Sequence, residues 1–219
     1  MTRWFGGPWG AALSALALLL ASPVLAPQLL AFPSHATSAI GPVWSERPID
    51  AAGLARVAAR SRALLAQSPI AAPDEQRPIF LTEGGWRWLW LANTSAGGFA
   101  LTRPLTKAVV VNGADLTKDR VWNGASIGGQ RTLSAVLAHE FTHGIIRRRY
   151  GGVSAILAPQ WLVEGYADHV AQESSLTPAD VARLEASGRS HPALIYYRGR
   201  QRVERILAAN GNDVDALFH

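Results

Sequence analysis

Cysteine is absent from the 219-residue chain. That excludes disulfides and thiolate metal sites, and it leaves His, Asp and Glu as the plausible metal ligands. Acidic residues are outnumbered, 16 against 21 Lys and Arg, for a net charge of +5. The basic residues are scattered apart from Arg147 to Arg149 and Arg198 to Arg205. No aromatic-interleaved basic stripe accompanies them, so no nucleic-acid partner is expected. Repeats and low-complexity segments are also missing, and the length suits one domain with one core.

Charge is missing altogether between Trp4 and Phe32. One positive residue, Arg3, followed by an uncharged apolar run is the composition of a secretory h-region or a membrane anchor. A buried core helix does not fit, because Pro23 and Pro27 would break it and no polar face exists. Residues 1–36 are therefore read as a signal peptide or membrane anchor. Ser34 and Ala36 are the small residues a signal peptidase wants, while the run is longer than a typical h-region. Either form puts the domain outside the cytoplasmic membrane, anchored or secreted. Residues 37–47, rich in Pro, Ser, Thr and Gly without periodicity, read as a linker, and residues 48–219 as the folded domain.

Asp50 is a candidate N-cap for an amphipathic helix with Leu54, Val57 and Leu64 or Leu65 on one face. "RPIFLTE" and "TKAVVVNG" are short β-branched runs bounded by Pro and Gly, which suits strands. Between them Trp86, Trp88 and Trp90 alternate, compatible with a strand or a helix start, and core packing is the simplest use of the rings. After Pro159, Thr177 and Arg200 three further helices follow, with Thr177 a cap and Asn210 with Gly211 an exit.

The best-signed element is "TLSAVLAHEFTHGIIRRRYGG". Apolar residues surround two histidines, Arg147 to Arg149 sit where the helix dipole favours cations, and Gly151 and Gly152 supply a stop. His139 and His143 are four residues apart, about one helical turn, so both imidazoles leave one side of the helix. H-E-x-x-H on a helix aims two neutral imidazoles at one metal ion, with Glu140 beside them to reach a water rather than the metal. Zinc fits best, since two nitrogens and one carboxylate oxygen give an open tetrahedral site.

The third ligand separates two branches. A metzincin would carry a third His six residues after the second, and Arg149 stands there, which cannot bind a cation. In gluzincin peptidases the third ligand is a Glu from a following helix. Glu164 lies 164 − 143 = 21 residues past His143, and "WLVEGYAD" resembles the Glu-bearing segment of that group, which includes thermolysin-like enzymes and the large zinc aminopeptidases. The resemblance covers roughly His139 to Asp168. It implies that His139, His143 and Glu164 hold Zn2+, with Glu140 the general base. Asp168 shares a helical face with Glu164, so it would come near the site and could accept the outer N–H of a ligand His. Thermolysin-like enzymes place an Asp at this offset, and the resemblance implies the same role.

These readings define an expected fold and reaction. The fold is a minimal zincin-like α+β domain, with a small mixed sheet from about residues 78 to 112 on the H-E-x-x-H helix, and a helical C-terminal half. The reaction is hydrolysis of a peptide bond in a peptide or protein substrate, by a metal-activated water with Glu140 as base. Tyr196, Tyr197 and His191 are candidates for donating to the oxyanion. "TKAVVVNG" is expected to be an edge strand able to bind an extended peptide. The competing reading is a non-catalytic, membrane-anchored zinc-binding or interaction module, against which an intact Glu140 counts.

Overall fold

The sheet starts earlier in the chain than its sequence suggests. The computed structural model describes residues 8–72, 74–103 and 106–218. After a first helix, α1 (Pro8–Leu25), strands β1 (Ser34–Ser38) and β2 (Gly41–Ser45) form an antiparallel hairpin. Residues 37–47 are therefore not a linker. The turn depends on Gly41: its φ is +124°, and a Cβ there would stand 2.2 Å from the Arg77 carbonyl oxygen. Ser34 and Ala36, the proposed cleavage residues, lie inside β1 and pair with Ser45 and Val43.

Helix α2 (Ala51–Leu65) follows, with the Asp50 carboxylate accepting from the Ala52 N–H as its cap. Next come β3 (Ile79–Leu81), α3 (Trp86–Ala92), β4 (Ala100–Thr102) and β5 (Val109–Val111). The sheet order is β1-β2-β3-β5-β4. Pairings β2–β3 and β3–β5 are parallel and the outer two antiparallel, so the sheet is mixed. A second, antiparallel sheet contains β6 (Gly113–Asp115), β7 (Arg120–Trp122) and β8 (Gln130–Thr132). The rest is helical: α4 (Leu133–Tyr150), α5 (Gly152–Leu157), α6 (Gln160–Ala171), α7 (Pro178–Ala186), α8 (Leu194–Ala209) and α9 (Asp215–Phe218). The architecture is α+β.

Alternation along the strands divides the core in two. Val43, Ile79, Leu81, Val109 and Val111 face the main cluster with α2 and α4, where Leu54, Val57, Leu137, Phe141 and Ile145 meet them. Phe80 and Val110 point the other way, onto Trp88 and Leu91 of α3. Both faces are covered, which is why these strands read as unbroken apolar runs rather than alternating ones. Each such side chain contributes about 1.5–3 kcal/mol when taken from water. The tryptophan triplet resolves as a helix: Trp88 is buried, while Trp86 and Trp90, one turn apart, are exposed.

Two expectations change. β5 is an interior strand between β3 and β4, so the sheet edge nearest α4 is β4 instead. For the N-terminal segment, α1 carries no charged residue, yet no helix among the described residues is long and apolar enough to cross a membrane. Residues 1–7, including Arg3, lie outside the described residues, as does His219.

Candidate metal centre

Helix α4 is anchored from outside before it reaches the histidines. The Asp119 carboxylate accepts from the Ser134 N–H at 2.8 Å and from its hydroxyl at 2.7 Å. The Glu173 carboxylate accepts from the Thr132 N–H at 3.1 and 3.2 Å. These bonds serve N–H groups that a helix start otherwise leaves unpaired. At the far end Gly151, with φ +87°, closes the helix after Arg147, Arg148 and Arg149.

Helix α6 lies against α4 and brings Glu164 to the pair of imidazoles. His139 Nε2 is 3.1 Å from Glu164 Oε2 and 3.1 Å from His143 Nε2, and His143 Nε2 is 3.5 Å from the same carboxylate oxygen. Ligand atoms bound tetrahedrally at about 2.0–2.2 Å from one ion stand roughly 3.3–3.6 Å apart. The observed spacing is close to that, so His139, His143 and Glu164 form a group that could hold a metal ion.

Asp168, one turn beyond Glu164, accepts from His139 Nδ1 at 2.8 Å. That places the ring proton on Nδ1 and leaves the Nε2 lone pair directed at Glu164 and His143. Such an arrangement is repulsive unless a cation or a proton lies between the groups. The titration behaviour follows the same logic. Burial opposes a charge on His139, but Asp168 and Glu164 outweigh it and push its pKa up to about 10. Burial would raise the Glu164 carboxyl, yet the two imidazoles hold it well below the usual carboxylate range.

No protein-family model, no curated protein and no solved structure matches the chain. The site is therefore characterised by its own geometry.

A cavity of about 760 Å³ opens beside the group, walled by α4, α6, the start of α8 and the segment Gly97 to Thr102. Glu140 is on its wall. Its carboxylate Oε2 lies 2.8 Å from the Thr102 hydroxyl, which also stands 2.9 Å from the Glu140 carbonyl. Tyr196 lines the cavity too, its ring 6.4 Å from that of His139 and inclined to it by 28°. Burial, then the nearby Glu164 and Asp168, push the Tyr196 phenol up to about 12, so it remains a proton donor at neutral pH.

Tyr197 turns away, onto Leu176, Val181 and Leu184. His191 lines the cavity, with its Nδ1 accepting from the Ala193 N–H at 3.2 Å. His169 stands apart from the group, 3.6 Å from Glu204.

Helix α8 reaches this position because two glycines let it approach α6. A Cβ on Gly165 would lie 2.4 Å from the Gly199 carbonyl carbon, and one on Gly199 would lie 2.4 Å from the Trp161 oxygen.

Three functional neighbours escape sequence reasoning. Thr102 is 38 residues from Glu140 in the chain and carries no motif. Arg131, buried in the middle of β8, pairs with Asp168 at 3.1 Å and donates to the Glu173 carbonyl at 2.8 Å. Glu173, expected from the sequence to share the helix of Glu164 and to be neutral when changed to Ala, instead lies just past the end of α6, caps α4 and contacts Arg131.

Proposed function

We propose that the chain is a zinc-dependent peptide hydrolase of the gluzincin type, built on a minimal zincin-like domain. The observation that carries this reading is the convergence of His139, His143 and Glu164 within 4.8 Å of one another, on the same cavity as Glu140. The donor set of two imidazoles and one carboxylate, with no sulfur, suits Zn2+. Zinc, when bound, supplies a Lewis acid that brings the pKa of a water towards about 7.

The chain's own groups then have separable tasks. Glu140 accepts the proton of the attacking water and returns it to the leaving amine. The Thr102 hydroxyl steadies that carboxylate from β4. Asp168 keeps His139 in the tautomer whose Nε2 is free to ligate, and Arg131 neutralises Asp168 from behind. Tyr196 supplies a neutral phenol on the cavity wall for the developing oxyanion. Among the described residues no strand pairs beyond β4 in the sheet, so an extended peptide or protein substrate can add to that edge.

For location we favour export: the charge-free α1 and the uncharged run around it suit a segment that delivers the domain outside the cytoplasmic membrane, secreted or membrane-attached. A reporter fused after Ser45 should be active outside that membrane, and activity confined to the cytoplasm would refute export.

The catalytic reading is tested with zinc-loaded protein, a generic protein substrate and two variants. Glu140→Gln preserves shape and removes the base, so it should keep zinc and lose hydrolysis. Glu164→Ala removes a ligand and should lose most of the zinc measured by elemental analysis. Equal hydrolysis by wild type and Glu140→Gln would end the catalytic reading, and full zinc occupancy in Glu164→Ala would mean another group is the third ligand.

A further inference from the structure

Arg147 continues the line of His139 and His143 along α4 at the same four-residue step. The three side chains therefore leave one side of the helix, with Arg147 roughly 6 Å further along the axis than His143. It lines the same cavity, on the side where Ala155 and Ile156 of α5 complete the wall. Its Nε donates to the His143 carbonyl at 3.2 Å, which fixes the base of the guanidinium.

Its charge is unusual among the described residues for what it lacks. Of the arginines that are at least partly buried, Arg77, Arg87, Arg131 and Arg200 pair with Glu75, Glu46, Asp168 and Glu204. Arg103 and Arg147 pair with no carboxylate, and of these two only Arg147 lines the cavity. The Arg147 guanidinium is partly withdrawn from water without a direct ion pair, which is unfavourable; Glu140 attracts it only at longer range, and the neighbouring Arg77 repels it. The cavity's own acids have closer partners than Arg147, Glu164 in the imidazoles and Glu140 in the Thr102 hydroxyl.

We infer that Arg147 binds a carboxylate of the substrate, so the peptides this site takes carry an acidic side chain or a free C-terminus on the α5 side of the metal group. The inference rests on the proposed peptide-binding cavity and names its preferred substrate class. One guanidinium balances one negative charge, and the nearby Glu140 and Glu164 repel a dianion, so a carboxylate fits better than a phosphate.

Binding, read separately from hydrolysis, tests this. Zinc-loaded Glu140→Gln protein is titrated with fluorescent octapeptides in matched pairs, one pair with an internal Glu against Gln, the other with a C-terminal acid against its amide. The acidic member of one pair should bind at least about tenfold more tightly, the equivalent of one charge-assisted hydrogen bond. The pair that responds identifies which carboxylate is bound. Adding Arg147→Gln should abolish the difference, whereas Arg147→Lys, which keeps the charge, should retain part of it. Equal affinities within both pairs, a difference that survives Arg147→Gln, or no binding of any peptide would overturn the inference, and Arg147 would then serve only the helix terminus. Wild-type hydrolysis is assayed in parallel. Acid-selective binding without hydrolysis would overturn the peptidase reading and leave this one standing; hydrolysis indifferent to acid would do the reverse.

Discussion

Asp168 accepts a hydrogen bond from His139 Nδ1 at 2.8 Å while being wholly shut off from solvent. It also pairs with Arg131 Nη2 at 3.1 Å, itself buried. Burial alone would raise the Asp168 carboxyl, but Arg131 and His139 hold it below the usual range. A buried carboxylate between a buried cation and a candidate ligand thus links the second sheet to the metal group.

Replacing Asp168 with Asn should act on both neighbours. The isosteric amide orients His139 more weakly, so zinc affinity should fall by about 10–100-fold. Arg131 loses its main counter-ion, and breaking a buried pair costs about 3–5 kcal/mol. Competition against a coloured chelator reads the first effect and thermal melting the second. Unchanged affinity with a lower Tm would mean that Asp168 serves Arg131 alone.

Tyr166 supplies a pH dependence away from the metal group. Its ring is buried on α6 and its hydroxyl stands 2.7 Å from that of Ser68. Burial raises the phenol to about 12, the Ser68 contact pulling the other way. The unfolded phenol ionises near pH 10, so above that pH the unfolded chain releases a proton that the folded chain retains. Stability from this group is therefore complete below pH 10 and declines as pH rises towards 12. The decline amounts to about 2–3 kcal/mol. Tyr166→Phe should flatten this part of the stability curve, as measured by urea unfolding at a series of alkaline pH values. Parallel curves for the two proteins would show that the phenol is not shielded.

The α6–α8 crossing should tolerate no added methyl. Gly199→Ala puts a Cβ against the Trp161 oxygen, so α8 must move outward and carry Tyr196, three residues earlier, off His139. A loss of about 1–3 kcal/mol is expected from the overpacking. Turnover should fall further while zinc content stays normal. Gly152→Ala, where an added Cβ meets nothing within 4 Å, is the control and should change neither. Full turnover in Gly199→Ala would remove Tyr196 from the reaction.

What was legible in the sequence was local. The helix over Leu133–Tyr150 and the Thr177 and Asp50 caps follow from spacing within one element, and the approach of Glu164, with Asp168 one turn on, to the histidines is what the gluzincin resemblance implies. The hairpin over residues 34–45 was not legible, because its inward positions on β2 are Gly41, Val43 and Ser45, which make no hydrophobic alternation. The second sheet is equally mute, three strands of three residues each with charged or small residues at most positions. Thr102 and Arg131 join the site only through tertiary pairing, 38 and 37 residues from their partners Glu140 and Asp168 (140 − 102 and 168 − 131). The edge strand was misassigned because "VVV" records burial on both faces, and burial on both faces is what an interior strand has.

The latch of Glu173 onto Thr132 has a consequence for how metal and folding are related. Together with the Asp168 contacts to Arg131 and His139, it ties the N-terminal half of α4 to the C-terminal end of α6 with bonds the chain makes by itself. Small zinc domains spend much of their metal affinity on ordering the polypeptide. Here the ordering is done by the apolar core and by these ties, so the site is preorganised. On the proposed metal reading, chelation should then yield a folded protein that rebinds an ion without a refolding step, as read by circular dichroism before and after zinc is restored.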